Sequence, residues 1–302
     1  MGAQLRVFRR RIKSVGATKK ITKAMELIAS SRIVKAQQRV DAALPYTTEL
    51  LRALSAAAAH SQSGHLFVGK EGEHTRAAMC LITADRGLAG AYSSAAIKEG
   101  EALTRLLNDK GIAVRPYLVG RKAVGFYRFR ERDIAGQWTG FTDQPTYEAA
   151  AEIAAALIDA FLTPVEEGGC EEIHLVYTHF ENMAVQRVAT RRLLPVEIVQ
   201  DEEPPPDGQP YPLYNFEPSP QGVLDALLPK YITNLVYTAL LLSAASEHAA
   251  RRRAMKSATD NADDLMKSLT RQANQARQAE ITQEISEIVG GADALSSANA
   301  GS

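Results

Sequence analysis

Cysteine is nearly absent. Cys80 and Cys170 are the only two in 302 residues, and neither belongs to a CxxC pair. That excludes a disulfide framework and a zinc site of the usual spacing, and it indicates a reducing compartment. Net charge is missing too, because 35 Lys and Arg balance 35 Asp and Glu. No global field therefore points to nucleic acid or a lipid surface. No apolar run reaches the eighteen or so residues that a bilayer-spanning helix needs. The remaining composition, 45% hydrophobic and 23% charged, is ordinary for a globular protein.

Catalytic signatures are also lacking. The six histidines, His60, His65, His74, His174, His179 and His248, show no HExxH or other ligand spacing, so no metal site is expected. No Ser/His/Asp set can be assembled, and the acidic pairs Glu202–Glu203 and Asp263–Asp264 read as solvated surface. The one candidate is "DRGLAGAY", Asp85 to Tyr92, at a strand end where a helix should open. Helix N-terminal amides can cradle phosphate there. The stretch nevertheless matches neither GxGxxG nor GxxxxGK[ST]. A tight turn of small residues, with Asp85 capping the next helix, is the competing reading.

What is present is a strong asymmetry at the start. Between Met1 and Arg39 the basic residues are Arg6, Arg9, Arg10, Arg11, Lys13, Lys19, Lys20, Lys23, Arg32, Lys35 and Arg39, against Glu26 alone. A solvated helical face is the plain reading, and a protein partner with acidic loops is the most specific alternative. Nucleic acid would call for interleaved aromatics, and Phe8 is the only one before Tyr46. Helical patterning begins at Leu5 rather than after a cleavable leader, which favours a bacterial source.

The first sixty residues hold few breakers, Gly2, Gly16 and Pro45. Apolar positions recur at Leu5, Phe8, Ile12 and Val15, then at Ile21, Met25 and Ile28, then at Ile33, Ala36, Val40 and Ala43. The narrow stripe predicts a coiled-coil seam with phase shifts between blocks. A helix of about 55 residues would be roughly 80 Å long. From residue 77 the pattern alternates strand and helix: "AAMCLITAD", a helix ending at Gly111, "AVRPYLVG", the short helix "RKAVGFYRFR", a helix from near Pro145, then "EEIHLVYTHF" and "AVQRVATRRLLPVEIV". This predicts a small Rossmann-like α/β domain with a largely parallel sheet. The predicted organisation is an N-terminal coiled-coil helix over 1–60, a linker over 61–76, the α/β domain over 77–200, and a proline-rich connection over 201–221. A C-terminal coiled-coil helix over 222–291 and a flexible tail over 292–302 complete it. The two terminal helices should pair antiparallel.

One stretch resists a globular reading. "RQANQARQAEITQEISEIVGGA", Arg271 to Ala292, is helical in texture but has almost no apolar face before Ile281. Such a helix cannot order itself by burying a core. It is predicted to overhang the end of its partner.

Three segments resemble a known family, the gamma subunits of F-type ATP synthases. "TKKITKAMELIASSRIVKAQ" (Thr18 to Gln37) resembles its N-terminal signature and "ITADRGLAGAYS" (Ile82 to Ser93) the signature at its first central strand. "AARRRAMKSATDNADDL" and "NQARQAEITQEISEIVGGA" resemble its C-terminal signature. The resemblance implies a rotor shaft whose coiled coil enters a hexamer of alpha and beta subunits, above an α/β foot on the membrane c-ring beside epsilon. It implies no catalytic, cofactor-binding or metal-binding residue in this chain, Mg-ATP and Mg-ADP being held by the alpha and beta partners. Met25 would face acidic lever loops of beta, and Arg251, Arg277, Gln278 and Thr282 would be rotor–stator contacts. Ile281, Ile285, Ile288 and Val289 would form an apolar bearing tip. The implied location is the cytoplasmic face of a bacterial plasma membrane, held there peripherally through the complex. An enzyme built on the α/β domain would instead predict nucleotide binding by the isolated chain, and a free-standing coiled-coil scaffold would predict a homodimer.

Overall fold

The computed structural model describes residues 2–59, 74–196, 216–217 and 219–300. The expected linker lies outside these residues as far as Glu73, and the proline-rich connection as far as Asn215. The elements run α1 (Gly2–Ala59), β1 (Arg76–Ile82), α2 (Tyr92–Asp109), β2 (Ala113–Val119), α3 (Arg121–Phe129), β3 (Gly136–Trp138), α4 (Tyr147–Leu162), β4 (Glu172–Phe180), β5 (Gln186–Leu194) and α5 (Pro220–Ala300). By packing, the chain divides into two compact units, Ala29–Arg251 on the one hand and Met1–Ile28 with Arg252–Ser302 on the other. Both long helices contribute to both units, so the division follows side-chain contacts rather than helix ends.

In the larger unit a five-stranded sheet has the order β3-β2-β1-β4-β5. β1 pairs parallel with β2 and β4, β3 extends the parallel side, and β5 closes the other edge antiparallel. Successive β1 side chains alternate between two cores, as strand geometry requires. Ala77, Met79 and Leu81 face α2 and α3 through Leu103, Leu107, Val124 and Tyr127. Ala78, Cys80 and Ile82 face α4 and the adjoining parts of α1 and α5, through Ile153, Leu157, Leu54, Ile232 and Leu240. The three-residue β3 escaped sequence reading because it is too short to show a period. α4 starts two residues after Pro145, where Thr146 Oγ1 accepts from Ala149 N at 3.3 Å.

α2 begins at Tyr92 rather than at Gly87. "DRGLAGA" is consumed by a turn in which Leu88 (φ 63°) and Gly90 (φ 55°) are left-handed, a conformation that a helix cannot contain. Asp85 does not cap α2. Its Oδ1 accepts from Arg121 N at 3.1 Å, at the start of α3, and its Oδ2 accepts from Gly140 N at 2.7 Å and Thr142 N at 3.1 Å.

α1 and α5 pair antiparallel within each unit. In the larger unit Asn234 Nδ2 donates to Thr47 Oγ1 at 2.6 Å, and Ile33 and Ala36 pack with Ala245 and Ala249. In the smaller unit Thr22 and Thr259 hydroxyls meet at 2.7 Å, Lys19 pairs with Asp263, and Gly16 lies beside Met266. Each step along one helix matches an equal step back along the other. The buried α5 positions here are Met255, Thr259, Ala262, Leu269 and Ala273, and half-buried Met266 completes an alternation of four and three, which is the spacing of a left-handed coiled coil.

The seam of α1 follows the expected blocks at Leu5, Phe8, Ile12 and Val15 and at Ile33, Ala36, Val40 and Ala43, all buried or half-buried, and differs in the block between them. Thr22 and Ala29 are buried, whereas Ile21 and Ile28 are 61% and 55% exposed and Met25 is half-buried. The phase shift inferred from Ile21, Met25 and Ile28 is therefore absent. The regular seam runs through small and polar residues that apolar periodicity cannot register. The overhang also begins later than predicted. Ala273 is buried and Ala276 half-buried. From Ile281 to Gly290 every α5 position is exposed. α5 continues through Ala292–Ala300, where small polar residues predicted fraying. Propagation adds a hydrogen bond per residue once a helix is nucleated.

Candidate functional site

Three places merit chemical attention. The first is the outer face of α1 in the smaller unit. Ile21, Leu27 and Ile28 lie exposed there, Met25 half so, among Lys20 and Lys23. The apolar atoms give contact area and the ammonium groups give a positive field, which together suit an acidic, partly apolar protein surface. Lys23 Nζ also holds Glu26 at 3.0 Å, so the lone acid of this region is internally engaged.

The second is the end of α5. Arg277, Gln278 and Thr282 are exposed, and the Thr282 hydroxyl donates back to the Gln278 carbonyl at 2.9 Å. The side chains of Arg277 and Gln278 project from a helix held only by small alanines. Ile281, Ile285, Ile288 and Val289 come next, all exposed. Apolar groups at three- and four-residue steps without an opposing surface among the described residues form a face built to be covered.

The third lies inside the larger unit. In an open α/β sheet, ligands sit beyond the carboxyl ends of strands where the strand order reverses. Here that place is between β1 and β4, and α5 fills it. Ser243 Oγ accepts from Thr178 N at 3.3 Å, and Ser246 Oγ donates to Thr178 O at 3.2 Å. Glu247, 1% exposed, accepts from Arg251 Nη2 at 2.5 Å, and the same nitrogen reaches the Gly87 carbonyl at 3.3 Å. Thr142 Oγ1 is 3.5 Å from Glu247. His248 Nε2 faces the Asp143 carbonyl at 3.0 Å, so it donates, and Nδ1 is left as an acceptor 3.4 Å from Arg251 Nη1. Asp143 in turn accepts from Arg32 of α1 at 2.7 Å. Burial pushes the Glu247 carboxyl up, with Arg251 opposing. Burial pulls His248 down to about 4, so this imidazole is neutral.

Arg251 is therefore placed unlike the other four expected contact residues, being 7% exposed and bonded inward. Sequence reading missed Glu247, Thr142, Asp143 and Arg32. The available signal was a Glu–Arg pair four apart at the end of an apolar stretch, the orientation favoured on helices. In "DRGLAGAY" the Gly87 carbonyl accepts from Arg251, and α5 lies over the crevice, which fits the tight-turn reading of this stretch.

At the opposite strand ends, Glu172 accepts from His74 and His174 at 2.6 and 2.7 Å. This cluster ties the start of β1 to β4. Its two rings lower the Glu172 pKa against the effect of burial. Among the described residues no group of three or more His, Cys, Asp or Glu is arranged to hold a metal ion, and no helix is long and apolar enough to cross a membrane.

Comparison with known proteins gives this geometry a family. A family model described as ATP synthase matches residues 4–295. The ATP synthase gamma chain of Kineococcus radiotolerans is 58% identical over 297 residues, covering 98% of each chain. That of Thermobifida fusca is 57% identical over the full length of both. Among solved structures, a chain of the Euglena gracilis mitochondrial ATP synthase superposes with a TM-score of 0.67 at 18% identity, covering 98% of this chain and 95% of its own. A chain of the Tetrahymena thermophila central stalk and c-ring gives 0.59 at 23%, covering 79% and 99%. By the match over residues 4–295 and the full-length relatives at 57–58% identity, the chain is a member of the ATP synthase gamma-chain family.

Proposed function

We propose that this chain is the central rotor shaft of a bacterial F-type ATP synthase. It couples proton-driven turning of a membrane c-ring to conformational changes at the beta subunits of an alpha/beta hexamer. The carrying observation is the bare end of α5, where Arg277, Gln278 and Thr282 adjoin the exposed Ile281, Ile285, Ile288 and Val289. A slim helix of this kind can turn inside a protein sleeve. Its polar groups can bond to one of several identical neighbours, and a charge-assisted hydrogen bond contributes about 1.5–3 kcal/mol. Differential contact biases one neighbour's conformation over another, which is a bias in its nucleotide affinity. The coupling is reciprocal in binding free energy, so hydrolysis can drive the shaft as well. Met25, with Lys20 and Lys23, is the second contact, toward acidic loops of beta.

In this reading the chain has no active site of its own, and Mg-ATP and Mg-ADP are bound by the alpha and beta partners. The α/β unit meets the c-ring and an epsilon subunit. The complex places the chain peripherally at the cytoplasmic face of the plasma membrane. The test is Met25→Lys in the reconstituted complex. An added cation beside Lys20 and Lys23 should over-bind acidic loops in one orientation, lowering both ATP hydrolysis and proton pumping while assembly persists. Wild-type values of both would remove Met25 from the contact. ATP turnover by the purified chain alone would contradict the absence of an active site.

A further inference from the structure

The helix that fills the sheet's crevice does so with charge, and this needs a reason. A buried ion pair contributes little net stability compared with apolar residues of the same volume. Glu247 and Arg251 sit one turn apart on α5, both buried. Their partners belong to other segments, namely Gly87 in the turn after β1, Thr142 in the loop after β3, and through His248 and Asp143 also Arg32 of α1. Asp85 ties the same two loops together through Gly140 N, Thr142 N and Thr142 Oγ1. Two helices and two loops of the larger unit thus meet in one hydrogen-bonded cluster. Elsewhere α5 meets the sheet through the Ser243 and Ser246 bonds to Thr178 of β4 and through apolar contact of Leu224, Leu228, Ile232, Val236 and Leu240. Apolar contact resists separation but is non-directional. Bonds with fixed angles resist sliding and twisting.

We infer that the Glu247–Arg251 pair, seated in the crevice between β1 and β4, is the torsional joint that makes α5 and the sheet of the larger unit turn as one body. Glu247, Arg251 and His248 are positioning residues here. This inference rests on the shaft reading and adds to it the place where twist passes between sheet and helix. The same geometry explains why an α/β sheet has no open ligand crevice at its usual place. The space holds the joint.

The experiment uses the complete complex, immobilised through its hexamer, with a probe on Lys110→Cys in the exposed turn after α2. Cys80 and Cys170 are buried, so the label goes to the new thiol. Angular variance of the probe between ATP-driven steps reports stiffness. In Glu247→Leu/Arg251→Met both charges leave together, which avoids a stranded buried ion. The expected result is a rise in variance, because the bonds that tie α5 to the two loops are lost while the Ser243 and Ser246 bonds to Thr178 and the apolar contact remain. Leu107→Ala, on the opposite face of the sheet, is the control. It should lower the melting temperature of the isolated chain and leave the variance unchanged. Should the double variant fail to assemble, Arg251→Lys is read instead. A lysine keeps the charge but cannot serve Glu247 and the Gly87 carbonyl through one nitrogen and His248 Nδ1 through another, as the planar fork does, and a smaller rise is expected. Unchanged variance in the variant read, or an equal rise in Leu107→Ala, overturns the joint. A wild-type probe that does not rotate with ATP overturns the shaft reading instead.

Discussion

Asp85 shows how one side chain can be read correctly as a cap and assigned to the wrong helix. The sequence places an aspartate before a helix, and capping is the natural expectation. Its acceptors are in fact spent on Arg121 N, Gly140 N and Thr142 N, which lie far along the chain and are invisible to local pattern. Asp85→Ala strands the amide of buried Thr142, whereas Arg121 and Gly140 are exposed and their amides can turn to water. Leaving one such donor unsatisfied costs about 1–3 kcal/mol, and a loss in that range is expected in urea unfolding of the isolated chain. His248 gives a pH prediction. Its folded pKa, about 4, lies below imidazole's ordinary value, so between these values the unfolded chain binds more protons and stability rises with pH. The stability is fully present near neutrality and is lost on acidification, by up to about 1.4 kcal/mol per pH unit from this group. Glu247, raised above the ordinary carboxyl range, has the opposite sign just above pH 4.5, because the folded state there holds the extra proton. His248→Gln, which keeps an N–H donor toward Asp143, should flatten the decline between pH 6.5 and 5. A slope equal to wild type would mean that other groups control it.

At the scale of elements, β1, α2, α4, β4 and both terminal helices were legible because each buries a face through apolar residues at the matching period. The seam of α1 was legible at its outer blocks, Leu5 to Val15 and Ile33 to Ala43, but not in the middle, because Thr22 and Ala29 carry it there while the larger Ile21 and Ile28 are exposed. Exposed isoleucines look like a core feature in one dimension. Opposite mutational responses are expected. Ile21→Gln should change stability by no more than about 0.5 kcal/mol, while Leu269→Ala, in the buried row of α5, should cost about 2–5 kcal/mol. Thermal unfolding monitored by helical circular dichroism separates them, and an equal loss in both would return Ile21 to the seam. Gly16 offers a gain. An added Cβ would meet Met266 Cε at 3.7 Å, an ordinary contact. Gly16→Ala should therefore stabilise the smaller unit by up to about 1 kcal/mol through helix propensity.

For the whole molecule, function was legible mainly through the terminal signatures and the lack of any catalytic set, and the crevice chemistry was not, since it joins residues from four segments. Arg277→Ala with Gln278→Ala removes exposed groups from a helix without a core to lose. The complex should assemble normally and hydrolyse ATP more slowly, with weaker cooperativity among the beta sites. Normal turnover in an intact complex would make this stretch passive and leave the torque contacts to the Met25 region. The strict register of the smaller unit also sets a rule for how such a shaft can change length. With Thr22 on Thr259 and Gly16 beside Met266, a seven-residue block added to both helices returns every seam residue to its place and extends the pair by about 10 Å. Any other increment turns the rest of the helix by about 100° per residue, swinging Arg277 and the apolar tip to a new bearing. Shafts of this construction therefore keep their bearing when lengthened by a whole heptad, and a single-residue deletion between Ala273 and Arg277 would act as a change of timing rather than of reach.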